Sequence, residues 1–117
     1  MLDSLQFNIT DTDIRDAFMK NSDIENVIKI YHKITYDGVD ELGPQSYLYD
    51  LNVLVEKKNR YYYVYHYHVE EWFAGDSLEY ELYDSYNISD KSFRPSNIKY
   101  MFTKADFDEF ERFCQNL

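Results

Sequence analysis

The stretch SYLYDLNVLVEKKNRYYYVYHYHVEEW, residues 46–72, decides the fold. In its first half Tyr47, Tyr49, Leu51, Val53 and Val55 alternate with Leu48, Asp50, Asn52, Leu54 and Glu56. That period of two places successive side chains on opposite faces of a half-buried strand. Lys57-Lys58-Asn59-Arg60 is a polar turn and residues 61–72 are a second, longer strand, so the pair predicts an antiparallel hairpin. Gly75-Asp76 marks the next turn. Residues 77–87 then predict a third strand, with Leu78, Tyr80 and Leu82 on one face and Glu79, Glu81 and Tyr83 on the other.

On the N-terminal side of this meander the reading is helical. Asp11-Thr12-Asp13 cap a short helix carrying Ile14, Ala17 and Phe18, and Ser22 with Glu25 forms a capping-box pattern ahead of Ile24, Val27, Ile28, Tyr31 and Ile34. The i, i+3, i+4, i+7 spacing of that second group predicts a helix, which Asp37-Gly38 and Leu42-Gly43-Pro44 break. On the C-terminal side, residues 89–97 hold Arg94-Pro95 and read as a loop, and residues 98–102 are a candidate fourth strand. Thr103, with Asp106 three residues on, caps a final helix lined by Phe107, Phe110, Cys114 and Leu117. Runs of one element type predict an α+β fold: an antiparallel meander of three to four strands, with N-terminal helices and a C-terminal helix packed on one face.

At 117 residues the chain has room for one domain, residues 1–117. Its 22 acidic against 12 basic residues give a net charge of -10, so direct contact with a nucleic-acid backbone or an anionic membrane works against repulsion. The expected partner is a basic protein. A content of 19% aromatic residues, 13 of them tyrosine, argues against disorder, and 3 Gly with 2 Pro exclude long flexible linkers. The lone Cys114 excludes an intrachain disulfide framework and a Cys-based zinc cluster. With no signal-peptide pattern at Met1-Leu2-Asp3-Ser4-Leu5 and no run of about 18 apolar residues, a soluble, cytoplasmic protein is expected.

No Gly-rich phosphate loop and no Gly-x-Ser-x-Gly elbow is present, so the reading is non-enzymatic and without a cofactor. His66, His68 and Glu70 share one strand face at i, i+2, i+4, which is how a metal site on a strand begins. A closed ligand shell needs a second supporting element, the sequence places none, and no stoichiometric metal is expected. A small metal-dependent enzyme built on these three residues stays open as an alternative. His32, beside Tyr31, reads as a boundary residue and Cys114 as a small apolar group.

Residues 61–72 carry rings on both faces: Tyr61, Tyr63, Tyr65 and Tyr67 on one, Tyr62, His66, His68 and Trp72 on the other. Either the strand is central and covered on both sides, or one face binds a partner. Carboxylates frame the rings, so the partner-binding set is Glu70, Glu71, Trp72, Asp76, Glu79, Glu81, Tyr83 and Asp84. Glu79, Glu81 and Asp84 would steer a basic partner, and Trp72 and Tyr83 would anchor it.

In general character the chain resembles the small immunity proteins encoded beside bacterial polymorphic toxins and contact-dependent growth inhibition toxins. The likeness lies in the acidic domain, the aromatic and acid-rich meander (residues 61–72, then 77–86) and the terminal helix introduced by Thr103-Lys104-Ala105-Asp106-Phe107. It implies a non-enzymatic inhibitor that binds a cognate toxin, often a nuclease, and blocks its active site or a nearby surface. Small phage anti-CRISPR proteins, inhibitors of host defence nucleases or mimics of nucleic acid, share this size and acidity.

Overall fold

Alternation, turns and caps resolve into one four-stranded antiparallel sheet in a computed structural model. It describes the backbone of residues 10–40, 43–72 and 78–117, and the side chains of 10–35, 48–71 and 79–117. The elements are α1 (Asp11–Met19), β1 (Ile24–Asp40), β2 (Gly43–Lys57), β3 (Tyr62–Trp72), β4 (Leu78–Asn87), a kinked 3-10 segment (Pro95–Met101) and α2 (Lys104–Gln115). Strand order follows chain order, β1-β2-β3-β4, and all neighbours are antiparallel. The fold is thus α+β, with β2 and β3 central.

The β2–β3 hairpin pairs Asp50 with His68, Asn52 with His66 and Leu54 with Val64 without a break. Its turn closes through Arg60 N–H to the Lys57 carbonyl at 2.9 Å, with Arg60 itself at φ 76° in the left-handed region. Odd-numbered residues of the two strands face α1: Tyr49, Leu51, Val53, Val55 and Val69 are buried with Ile14, Ile24, Val27 and Ile30. Leu54 and Val64 face the other way and are buried with Tyr31, Ile88, Ile98, Met101, Phe102, Phe107 and Phe110. Helices therefore cover both faces, α1 on one and α2 with the 3-10 segment on the other, which corrects the expectation of a single helical layer.

Residues 24–34 correct the predicted second helix, because they lie in β1. Register shifts at Ile24/Asn26 and Val27/Lys29 each add a residue to β1 relative to β2. A bulge turns the strand period of two into a local step of three, so Ile24, Val27 and Ile30 all reach the α1 face and imitate helical spacing. The Ser22/Glu25 capping box is not formed; Asn21 Oδ1 instead accepts from the Asp23 N–H at 3.2 Å. The working capping box lies twelve residues earlier, where Thr10 and Asp13 exchange side-chain and backbone bonds at the start of α1. Arg15 then ties α1 to β1 by donating to the Val27 carbonyl at 2.8 Å.

The candidate fourth strand at 98–102 is not formed: residues 98–101 belong to the 3-10 segment, entered through Pro95 at its start, and Phe102 caps it in extended conformation. It is fastened to the sheet by Asn52 Nδ2 to the Met101 carbonyl (2.8 Å) and Lys33 Nζ to the Tyr100 carbonyl (2.6 Å). Thr103 caps α2 through the Asp106 N–H, and Phe107 and Phe110 are buried. Leu117 is exposed and leaves the expected apolar stripe. No helix among the described residues is long and apolar enough to cross a membrane.

Three tyrosines tie this packing to pH. Burial pushes the Tyr31 phenol well up, helped by Glu109, and pushes up Tyr49, whose hydroxyl donates to Glu71. Tyr86 is pushed up to about 12 by burial and by Asp84. The folded chain holds these phenols neutral, whereas the unfolded chain ionises them near pH 10, so unfolding then releases protons. Stability is expected to stay level as pH rises to about 10 and to fall from there through 12. Urea midpoints between pH 8 and 11.5 check this, and a midpoint unchanged at the alkaline end contradicts it.

Candidate functional site

The even-numbered side chains of β3 leave the α2 core one by one: Val64 and His66 are fully buried, Glu70 half-buried, and His68 has 52% of its side chain exposed. Register builds two rows across the sheet on this face. One runs Tyr31, Asn52, His66, Asp84; the next runs Lys33, Asp50, His68, Glu81. Glu79 stands opposite Glu70 one step further out. Strand pairing thus places the candidates His66, His68, Glu70, Glu79, Glu81 and Asp84 on one face.

A bulge completes the arrangement. His66 pairs with Asp84 but Tyr67 pairs with Leu82, so Tyr83 is the extra residue of β4. Both Tyr83 and Asp84 then reach the histidine face, where plain alternation would have sent Asp84 to the opposite side. The Tyr83 ring stacks on His68 (4.4 Å between centroids, 24° between planes) and meets His66 edge-on at 5.7 Å. Beneath them, Asp50 Oδ1 lies 2.8 Å from His66 Nε2 and 3.5 Å from His68 Nε2. One buried carboxylate oxygen serves two imidazoles. His66 Nδ1 is also buried and has no hydrogen-bond partner among the described residues.

The convergent group is therefore Asp50, His66 and His68, whose ligand atoms lie within 4.8 Å of one another, and Glu70 stands outside it. Sequence reasoning missed Asp50 because it lies on another strand. Counting equal steps either side of Asn59, the middle of the turn, sets Asp50 opposite His68 and would have found it.

β4 is an edge strand exposed on both faces. Glu79, Glu81 and Asp84 are exposed on the histidine side together with Tyr83 (61% exposed). On the α1 side, Tyr80 (69%) and Leu82 (51%) border an open groove of about 470 Å³, whose other lining includes Phe18, Tyr65 and Tyr67. No basic residue occurs between Leu78 and Asp90. Glu71 corrects the predicted surface set: it is fully buried on the α1 face, where its Oε1 accepts from the Tyr49 hydroxyl at 3.2 Å. Trp72 ends β3, but its side chain lies outside the described residues, as does Asp76.

The other reactive groups have structural placements. His32 is on β1, not on a helix, and its Nε2 lies 2.9 Å from Asp11 Oδ1. Cys114 packs at the edge of the α2 core, where burial, assisted by Glu111, pushes its thiol up to about 11. A thiol so shifted holds little thiolate, so its alkylation by iodoacetamide at pH 8 should run slower than that of free cysteine by on the order of a hundredfold. Reaction at the free-cysteine rate would contradict the packing.

Comparison with known proteins adds no relative to this geometry: no protein-family model, no curated protein and no solved structure matches the chain.

Proposed function

We propose that this chain is a non-enzymatic, acidic binding protein of the immunity type, which neutralises a basic toxin or nuclease by covering its active or substrate-binding surface. The observation that carries this reading is β4, an exposed edge strand on which Glu79, Glu81 and Asp84 stand beside the exposed Tyr80, Leu82 and Tyr83 with no cation among them. Carboxylates alone would serve to keep an edge strand from pairing with other chains. Exposed rings do not serve that end; large rigid side chains with a polar tip are the residues that anchor interfaces. Charge of one sign draws in a partner of the other, and the rings hold it once water is excluded. A phage-type inhibitor of a host defence nuclease would use the same surface, and the identity of the partner separates the two.

The test begins with the immobilised chain in native extract and continues with the purified captured protein. A basic partner whose activity is lost at one equivalent of the chain, and kept when Glu79→Lys/Glu81→Lys is used instead, is the expected result. A captured protein that is acidic, or an inhibition that the double variant retains, would overturn the reading.

A further inference from the structure

We propose that Asp50, His66 and His68 bind one divalent transition-metal ion of the zinc type, with a coordination position left open on the β4 side. The metal-free expectation rested on the want of a second supporting element, and β2 supplies it. Asp50 and His66 are buried on the two central strands in unbroken register, so two of the three donors are held by the sheet itself. Ligands about 2.0–2.2 Å from a zinc ion stand roughly 3.0–3.5 Å from each other. The Asp50–His66 and Asp50–His68 separations, 2.8 and 3.5 Å, are close to that spacing. The third edge lies within 4.8 Å and closes by a small turn of His68, the exposed member. An ion there takes the Nε2 lone pair of His66 in the tautomer that carries its proton on Nδ1, so the 2.8 Å contact between Nε2 and Asp50 Oδ1 becomes shared coordination.

The donor chemistry selects the metal. Two imidazoles and one carboxylate suit zinc, iron, nickel or copper and not magnesium or calcium, which take oxygen shells. The surroundings favour a cation, since Glu81 and Asp84 stand opposite His68 and His66 on β4. The one cation in the row, Lys33, gives its ammonium to the Tyr100 carbonyl. Three protein ligands leave room for water or a donor from a bound molecule, the pattern of open zinc sites.

Calorimetric titration of the chelator-treated chain with Zn²⁺, paralleled by the visible absorption of bound Co²⁺, tests it. One ion per chain is expected, with affinity weakened tenfold or more in His68→Ala and unchanged in His32→Ala, a histidine on the other face. His68 is exposed, so its loss should spare the fold; should His68→Ala melt early, Asp50→Asn reads the same loss. No saturable binding at about 100 μM metal, or an affinity that both ligand variants retain, would overturn the proposal.

Discussion

Phe110→Ala is expected to destabilise the folded chain by about 3–5 kcal/mol. Phe110 is fully buried, stacks on Phe102 at 4.8 Å with 17° between planes, and meets the Tyr31 ring edge-on at 6.3 Å. Truncation to alanine removes those contacts from the centre of the α2 face, and the neighbouring rings cannot collapse fully into the space. Set against the roughly 5–15 kcal/mol of a typical domain, such a loss lowers Tm by on the order of 15 °C. Leu117→Ala is the internal contrast: its side chain is exposed, and the change should stay within about 0.5 kcal/mol. Equal melting points for the two variants would show that α2 does not hold the sheet. Removing residues from Thr103 onward should prevent folding altogether, since Leu54, Val64 and Ile88 would lose their cover.

The second large effect is kinetic. Glu79→Lys/Glu81→Lys is expected to slow association with the basic partner tenfold or more while changing dissociation less, because steering acts on the encounter. The fold should tolerate the change. Glu79 faces Glu70 directly across the β3–β4 ladder, a like-charge pair that lysine converts to an attractive one, worth a few tenths of a kcal/mol. Tyr83→Ala should act on the other rate. With 61% of Tyr83 exposed in the free chain, its loss should shift the melt by less than about 1 kcal/mol, yet cost about 2 kcal/mol of affinity, chiefly through faster dissociation. If Tyr83→Ala instead lowers the melting point and leaves the affinity of the folded fraction intact, the ring is packing and not an anchor.

What could be read from the residues and what could not divide on a single physical ground. The hairpin from Tyr47 to Trp72 was legible because its ladder is unbroken, so alternation in sequence is alternation in space. The cap at Thr103 and the buried pair Phe107 and Phe110 mark α2 because its helical period is likewise uninterrupted. β1 reads as a helix in sequence because two bulges stretch its period from two towards three. The bulge at Tyr83 likewise carried Asp84 onto the histidine face, which no fixed period announces. At the site, His66 and His68 were legible because they share a strand. Asp50 was not, since its place depends on the register between strands, and the burial of Glu71 follows from a covering helix that local pattern does not reveal.

If the acidic edge of β4 draws in a basic partner, as proposed, the association rate varies with salt. At about 0.01 M ionic strength charges act over roughly 30 Å, and at about 1 M over roughly 3 Å. Across this range the on-rate of the unaltered chain is expected to fall tenfold or more, with a much flatter profile for Glu79→Lys/Glu81→Lys and an off-rate that changes less in both. An on-rate independent of salt would exclude steering by this edge, whichever ring proves to be the anchor.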